Sequence, residues 1–206
     1  TDIIEVLRES NMKIREQLEG LSRDDFSEVF LFFDYDAHQT NLGKTDDEDV
    51  INQMLKSFDN ETENGKLYIS YPMVEALRDF EAGKCGKGDN CFIDIKNLVE
   101  YKNVSSANSQ NPHFRDYDID VWKEIIDVFS MRVSCLLGNV KVMSYEQYID
   151  TAQPYDIFMC EQVLADDNKV FIISAFPEFL VDYFGMKLWR TCVKHTKNQL
   201  AIYNCK

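Results

Sequence analysis

The sequence predicts an α/β fold in which a mainly parallel sheet is flanked by helices, as a single domain over residues 1–206. Three observations favour this fold. Apolar runs at 29–34 and 67–71 have the length of buried strands, and a helix pattern lies between them. A third apolar run, at 170–175, is also followed by a helix pattern. Strands and helices that alternate in this way are typical of parallel sheets with right-handed crossovers.

Composition and charge limit the class of protein. Apolar residues make up 45% of the 206 residues, which excludes a disordered acidic tail. No apolar run approaches the roughly 18 residues that span a bilayer, and no signal peptide is visible, so we expect a cytoplasmic protein with no membrane contact. The net charge of −14 repels phosphate backbones and argues against broad, unaided binding of nucleic acid.

The first half of the chain predicts helices around the first two strands. Residues 2–18 predict one amphipathic helix, and a turn follows at 22–26. Thr45 and Glu48 predict a capping box at the start of the helix between the strands. That helix is predicted to face the core through five apolar residues, which are Val50, Ile51, Met54, Leu55 and Phe58. Pro72 is predicted to open the next helix, since proline suits a first helical position.

The second half predicts a helical elaboration at about 86–168, followed by the third strand. The segment 91–101 fits a helix or a strand. The further predictions here are a long helix at 118–137, a short strand at 139–143, a Ser144–Gln147 capping box and a helix from Pro154 to Ala165. The third strand is predicted to lead into a helix from Pro177, and Gly185 is predicted to stop or kink that helix.

Acidic residues follow the predicted strands, where ligands of open α/β sheets collect. Asp34 and Asp36 follow the first strand, and side chains two residues apart point the same way on an extended chain. Both carboxylates would therefore reach one Mg²⁺ or Mn²⁺ ion. Glu75 follows the second strand as a further candidate, and Glu178 and His38 are weaker ones. The alternative is structural, because aspartates suit turns and a glutamate in a first helical turn complements the helix dipole.

The six cysteines predict reduced thiols of a cytosolic protein. Cys85 and Cys91 are the only two that lie close in sequence, and their spacing fits no common zinc pattern. A zinc or disulfide site made by these two residues alone remains the alternative.

The segment "VFLFFDYD", with the helix pattern after it and "LYISYPMVEAL", resembles the Toprim-type domain of phage-defence nucleases of the OLD-family and RloB-like groups. The resemblance covers roughly residues 25–82. It implies that Asp34 and Asp36 are the metal-binding D-x-D of that domain, with Glu75 as the acid of a strand-Pro-x-x-Glu segment. It also implies a Mg²⁺- or Mn²⁺-dependent hydrolase that cleaves phosphodiesters of nucleic acid in phage defence or abortive infection.

The resemblance also implies an upstream strand with a glutamate, and no such strand is predicted in this sequence. Toprim domains place a glutamate after an upstream strand, whereas the acids before Asp34 lie in a predicted helix. Because the chain starts at Thr1, we expect an N-terminal strand and helix to be missing from it. Cations near the predicted site are few, namely Lys44, Lys66, Arg78 and Lys84. This predicts an ATPase or another protein subunit as a partner.

Two other classes of protein remain open. A haloacid-dehalogenase-like phosphatase also starts with an apolar strand and D-x-D, with Asp34 as nucleophile and Asp36 as general acid/base. Ser70 would supply its second motif, but Asp166 and Asp167 follow a predicted helix where that family requires a strand. A non-enzymatic acidic adaptor or inhibitor is the second alternative, and the net charge of −14 favours it.

Overall fold

The computed structural model describes the chain over residues 2–35, 47–85, 91–109 and 113–194. Its α-helices are α1 (Ile3–Ser10), α2 (Met12–Gln17), α3 (Asp47–Ser57), α4 (Leu98–Asn108), α5 (Ile119–Leu136), α6 (Tyr145–Thr151), α7 (Pro154–Asp166) and α8 (Ala175–Cys192). Its strands are β1 (Phe30–Asp34), β2 (Asp59–Asn60), β3 (Gly65–Ser70), β4 (Phe92–Asp94) and β5 (Lys169–Phe171). Short 3₁₀ helices occur at Arg23–Asp25, Val74–Arg78, Ile95–Asn97 and Phe114–Asp116.

The described strands form two small sheets. One sheet has the order β1-β3-β2, with β1 parallel and β2 antiparallel to β3. The other sheet is the antiparallel pair β4–β5, and a bridge between Tyr71 and Ile173 connects the two sheets. The predicted α/β class and the β1-α3-β3 parallel unit are therefore confirmed. The described sheets are mixed. The third predicted strand pairs antiparallel with β4, and its residue Ile173 forms an antiparallel bridge with Tyr71 at the end of the second predicted strand.

Strand β1 is not buried on both faces, which corrects the prediction made from its apolar run. Phe32 is 39% exposed and Phe33 is 46% exposed. The strand order explains this, because β1 is at one edge of its sheet and β3 occupies the centre. Leu67 and Tyr68 of β3 are each 1% exposed. An apolar run alone does not separate an edge strand rich in phenylalanine from a central strand.

The N-terminal region contains two helices where one was predicted. Asn11 is extended, with φ −157° and ψ 136°, and its side chain accepts a hydrogen bond from the backbone N–H of Lys13 at 2.8 Å. Asparagine favours such cap positions over helix interiors, which explains the break. Arg23 then anchors this region to the turn between β2 and β3, since its guanidinium donates to the carbonyls of Glu61 and Glu63.

The segment after β3 differs from the prediction of an α-helix that opens at Pro72. The Tyr71–Pro72 peptide bond is cis. Because Met73 is extended, with φ −166° and ψ 176°, the helix begins at Val74, and it is a 3₁₀ helix that ends at Arg78. Proline suits a first helical position, but the observed helix starts two residues after Pro72.

Helix α3 buries fewer of its apolar residues than predicted. Leu55 is buried, with Ile51 and Met54 packed beside it, whereas Val50 is 49% exposed. Val50 lies about 140° around the helix from Leu55, so the two residues cannot face the same neighbour. Thr45 lies outside the described residues, and its capping box stays a prediction.

The later elements largely match the sequence patterns. The predicted long helix is α5, α7 begins at Pro154, and the Ser144–Gln147 capping box is formed. The segment 91–101 divides into strand β4 and the start of α4. Residues 139–143 do not form the predicted strand, because Met143 returns to α5 and its backbone N–H donates to the Ser134 hydroxyl.

Helix α8 begins two residues before the predicted position at Pro177. Ser174 is its N-cap, and the Ser174 hydroxyl accepts a hydrogen bond from the backbone N–H of Phe176. Gly185 interrupts α8 with φ 66° and ψ −154°, so the predicted kink is confirmed.

The hydrophobic core joins β3, α5, α7 and α8. Its buried members include Leu67, Phe129, Phe158 and Val181, one from each of these elements. The predicted helical elaboration at 86–168 thus supplies α5 and α7 to the same core as the parallel unit. The extent of the domain over 1–206 stays a prediction.

Candidate functional site

The carboxyl ends of β1 and β3 bring Asp34 and Glu75 together. The parallel register pairs Asp34 with Ser70, so the two strands end side by side. Glu75 lies in the 3₁₀ helix that follows β3. The backbone N–H of Val74 donates to the Asp34 carboxylate, which fixes the strand end against the start of that helix.

The charges at this edge act on each other directly. Burial raises the pKa of Asp34, and the Glu75 carboxylate adds to the rise, while the Val74 N–H and Lys102 oppose it. Glu75 is only 6% exposed, and the Nζ of Lys102 lies 3.6 Å from its Oε1. Two carboxylates and one ammonium therefore share a partly desolvated edge, and a cation there would relieve the repulsion between the acids.

Asp36 and His38 lie outside the described residues, so the pairing of Asp34 with Asp36 stays a prediction. Tyr35 gives the direction of the chain at this point. It is 5% exposed, and its ring lies 5.1 Å from that of Tyr71. Successive side chains on extended chain point to opposite faces, so Asp34 lies on the face of β1 opposite to Tyr35.

Within the part of the chain that the structure describes, no third carboxylate or histidine joins Asp34 and Glu75 closely enough to complete a metal-binding group. A cation bound by these two residues therefore requires Asp36 or water as a further ligand. Magnesium commonly keeps several water ligands, so a site with few protein carboxylates suits it.

Lys102 is the residue at this edge that no sequence pattern singled out. It lies on α4, which belongs to the predicted elaboration, and the sequence offers no signal that α4 reaches Glu75. The cations named from the sequence have other partners. Lys66 pairs with Asp182, Lys84 pairs with Glu81, and Arg78 donates to the Ser106 hydroxyl. Lys44 lies outside the described residues.

Ser70, the candidate second motif of a phosphatase, has a structural role. It is 2% exposed, and its hydroxyl accepts a hydrogen bond from the backbone N–H of Ala175 at 3.2 Å. The hydroxyl therefore helps to hold the start of α8 on β3. Asp166 and Asp167 are at the end of α7, as the sequence predicted.

A second polar cluster lies between β3 and α8, around Asp182. The carboxylate of Asp182 accepts hydrogen bonds from the hydroxyls of Tyr68 and Tyr148, each at 3.1 Å, and from Lys66 at 2.5 Å. Glu178, one helical turn earlier, is 1% exposed, and its Oε1 has no hydrogen-bond partner. Burial, with Asp182 adding to it, raises the pKa of Glu178 well above its ordinary value.

The sequence named Glu178 as a weak functional acid, and the structure places it in this cluster. Its spacing from Asp182 puts both acids on one face of α8, a pattern that solvent-exposed helices also show. Tyr148 also contacts Trp189, with ring centroids 5.0 Å apart, and Trp189 is 2% exposed. This cluster joins β3, α6 and α8.

Three cysteines form a third cluster. The Sγ atoms of Cys85, Cys91 and Cys135 all lie within 4.8 Å of one another. The sequence pointed to the first two, whereas Cys135 lies on α5 far along the chain. A zinc or disulfide site made by Cys85 and Cys91 alone stays a prediction.

No described helix has both the length and the apolar character needed to cross a membrane.

The chain was compared with protein-family models, with curated proteins and with solved structures. None of them matches it, so its function is inferred from its own residues.

Proposed function

We propose that the carboxyl ends of β1 and β3 hold a Mg²⁺ or Mn²⁺ ion and that the chain is a metal-dependent Toprim-like nuclease, or an inactive relic of one. The observation that carries the proposal is the meeting of Asp34 and Glu75 at the ends of two parallel strands, where burial and then the Glu75 carboxylate raise the pKa of Asp34. Nuclease action in cytoplasmic phage defence is the function that the sequence resemblance adds to this geometry.

Each residue of the site has a defined role in the proposal. Asp34 and Asp36 bind the ion, and Glu75 is a further ligand or orients the water bound to it. Lys102 balances the charge of Glu75. A bound Mg²⁺ or Mn²⁺ ion would supply a polarised water molecule and charge neutralisation for phosphodiester hydrolysis.

The charge of the chain bears on the substrate. A net charge of −14 disfavours the approach of DNA or RNA, and the Lys and Arg residues named from the sequence in the described ranges are already paired. We therefore propose that a partner, an ATPase or another subunit, supplies the basic surface that brings nucleic acid to the ion.

Mn²⁺ titration of the Asp34→Asn variant tests the cation site. Asparagine keeps the shape of the side chain and removes its charge, so Mn²⁺ affinity, measured by calorimetry, should fall by at least about tenfold, or about 1.4 kcal/mol of binding free energy. Asp94→Asn is the matched control, because Asp94 also ends a strand but pairs with Lys96. Its Mn²⁺ affinity should equal that of the unmodified chain.

Unchanged Mn²⁺ affinity in Asp34→Asn would contradict the proposal and favour the acidic adaptor that the net charge also suggests. If the ion binds, the substrate separates the remaining classes. Cleavage of DNA or RNA with Mn²⁺ supports the nuclease, whereas hydrolysis of a small phosphomonoester alone supports the phosphatase.

A further inference from the structure

We infer that Cys85, Cys91 and Cys135 form a three-thiolate binding site for a thiophilic divalent cation of the Zn²⁺ class. The site lies apart from the carboxylates of the proposed function and has different ligand chemistry. Sulfur ligands select Zn²⁺ and similar soft ions, whereas carboxylates select Mg²⁺ and Mn²⁺.

The distances between the sulfur atoms are close to those of a metal–thiolate site. Ligands at a Zn–S distance of about 2.3 Å in tetrahedral geometry lie about 3.8 Å from each other. The three Sγ atoms lie within 4.8 Å of one another, and those of Cys85 and Cys91 are 3.1 Å apart. Shifts of about 1 Å or less would bring all three sulfurs to one ion.

Three separate elements hold these cysteines in place. Cys85 follows the bridged turn between Glu81 and Lys84. Cys91 precedes β4, and its carbonyl accepts a hydrogen bond from the backbone N–H of Ile172 at 2.7 Å. Cys135 lies in the last turn of α5. The positions are therefore fixed by the sheet and by a core helix, which lowers the cost of organising the ligands around an ion.

Burial favours binding and also leaves a route of entry. Cys91 and Cys135 are both 0% exposed, so thiolates there are hidden from solvent and from large oxidants. Cys85 is half-buried and lies at the outer side of the group. An ion would reach Cys85 first and then the two inner sulfurs.

The charge of Arg132 suits the site. Three thiolates and one divalent cation carry a net charge of −1, which a buried site must offset. Arg132 lies one turn before Cys135, is 3% exposed, and donates from Nε to the Cys85 carbonyl at 2.7 Å. Its guanidinium also lies 3.8 Å from the Asp79 carboxylate, so that acid shares its charge.

Binding of the ion needs no other reactant. The S–H bonds of the three thiols break, metal–sulfur bonds form and the thiol protons pass to the buffer. No electrons are transferred, so the step needs no oxidant. Water occupies the fourth position of a tetrahedral ion, since the cluster within the described ranges offers three ligands.

Cadmium titration of the full chain tests this site. The reduced, chelator-treated protein should gain a thiolate-to-metal charge-transfer band that saturates with a single Cd²⁺ ion, and Zn²⁺ should remove the band by competition. Cys85→Ser and Cys135→Ser should each weaken Cd²⁺ binding by at least about tenfold. Cys160→Ser is the matched control, because Cys160 is half-buried like Cys85 but lies on α7 outside the cluster.

Circular dichroism separates a lost ligand from a lost fold, and Cys85→Ser is the safer variant because Cys85 borders solvent. Absence of the charge-transfer band in the folded, unmodified chain would overturn the inference. So would a band of unchanged affinity in both variants. Formation of a Cys85–Cys91 disulfide in preference to metal binding, when reduced protein meets air and Zn²⁺ together, would overturn it as well. Asp34→Asn should leave the Cd²⁺ titration unchanged, which keeps this test independent of the proposed function.

Discussion

Glu178 shows how an environment decides what a single residue does. Its sequence position, in the first turn of a helix, suits a solvated acid that complements the helix dipole. In the structure, burial and then the Asp182 carboxylate raise the pKa of Glu178, and Lys66 opposes the rise. A carboxyl group that is buried without a partner for Oε1 favours its neutral form.

The raised pKa of Glu178 predicts a pH-dependent stability. Between its ordinary pKa and its raised folded pKa, the folded chain keeps a proton that the unfolded chain releases. The contribution to stability is therefore complete below the ordinary value of 4.5 and is lost as the pH rises toward the folded pKa. Glu178→Gln cannot ionise, so the free energy of unfolding of the unmodified chain, relative to that of the variant, should decrease as the pH rises above 4.5.

Urea unfolding of both proteins across this pH range measures the difference. Asp156→Asn is not a suitable control, because Asp156 caps α7. Glu124→Gln is the control, because it makes the same change at an acid of α5 that is only partly buried. A constant difference between the unmodified chain and Glu178→Gln over the whole range would contradict the prediction.

Residues at the candidate sites differ in how far the sequence reveals them. Asp34 and Glu75 were predictable, because strand ends follow from apolar runs and parallel strands end at one edge. Lys102 and Cys135 were not, because their neighbours come from distant parts of the chain. Such contacts depend on how α4 and α5 pack, and no local pattern encodes that packing.

At the scale of elements, the capping box at Ser144 and the proline at 154 predicted the starts of α6 and α7, since caps act over a few residues. The same proline rule placed the helix starts at Pro72 and Pro177 two residues away from the observed ones. β1 contradicts the expectation of a strand buried on both faces. Its neighbours in the sheet decide its exposure, and the order of strands is a property of the whole fold.

Gly185 predicts a local stability effect in helix α8. Its backbone has φ 66° and ψ −154°, a conformation open essentially to glycine alone. An added Cβ would meet the Tyr145 hydroxyl at 3.4 Å, which is ordinary contact, so the cost is backbone strain. Gly185→Ala should lower the free energy of unfolding by about 1–3 kcal/mol in a urea titration.

Lys187→Ala provides a control on the same helix, since Lys187 is exposed and alanine favours helices. Its effect should stay within about 0.5 kcal/mol. An equal free energy of unfolding for Gly185→Ala and Lys187→Ala would contradict this prediction, because it would show that alanine adopts the backbone conformation of Gly185 without strain.

At the scale of the whole molecule, the acidic charge links stability to ions. A net charge of −14 destabilises the compact state by self-repulsion, and salt screens this repulsion. Part of any stabilisation by Mn²⁺ will therefore come from this screening, which does not depend on a binding site. A specific site adds a further term, about 2.7 kcal/mol when Mn²⁺ is present at 100 times its dissociation constant.

Thermal or urea unfolding at constant ionic strength, with Mn²⁺ against K⁺, separates the two terms. The unmodified chain should be more stable with Mn²⁺, because the ion binds the folded state. In Asp34→Asn the difference between the ions should become small. An equal response of both proteins to Mn²⁺ would leave screening as the whole effect and would argue against the cation site.

The α/β class and the β1-α3-β3 unit were predictable because each rests on local periodicity and on a chirality rule. The antiparallel pairing of β5 with β4 was not, since the sequence pattern of a buried strand carries no direction. The same limit applies to the contact of α4 with the edge at Glu75. Sequence patterns predicted the parallel unit and the helices α5, α6 and α7, and long-range packing determined how the elements meet.

Trp189, packed on Tyr148 and almost fully buried, gives the protein an internal optical probe. Its indole is shielded from water, so its emission should lie at short wavelength and move to longer wavelength when α8 leaves β3. Trp122, the second tryptophan of the chain, is only partly buried and can be replaced by phenylalanine to leave a single emitter. The fluorescence of that variant would follow the opening of the Asp182 cluster without any attached label.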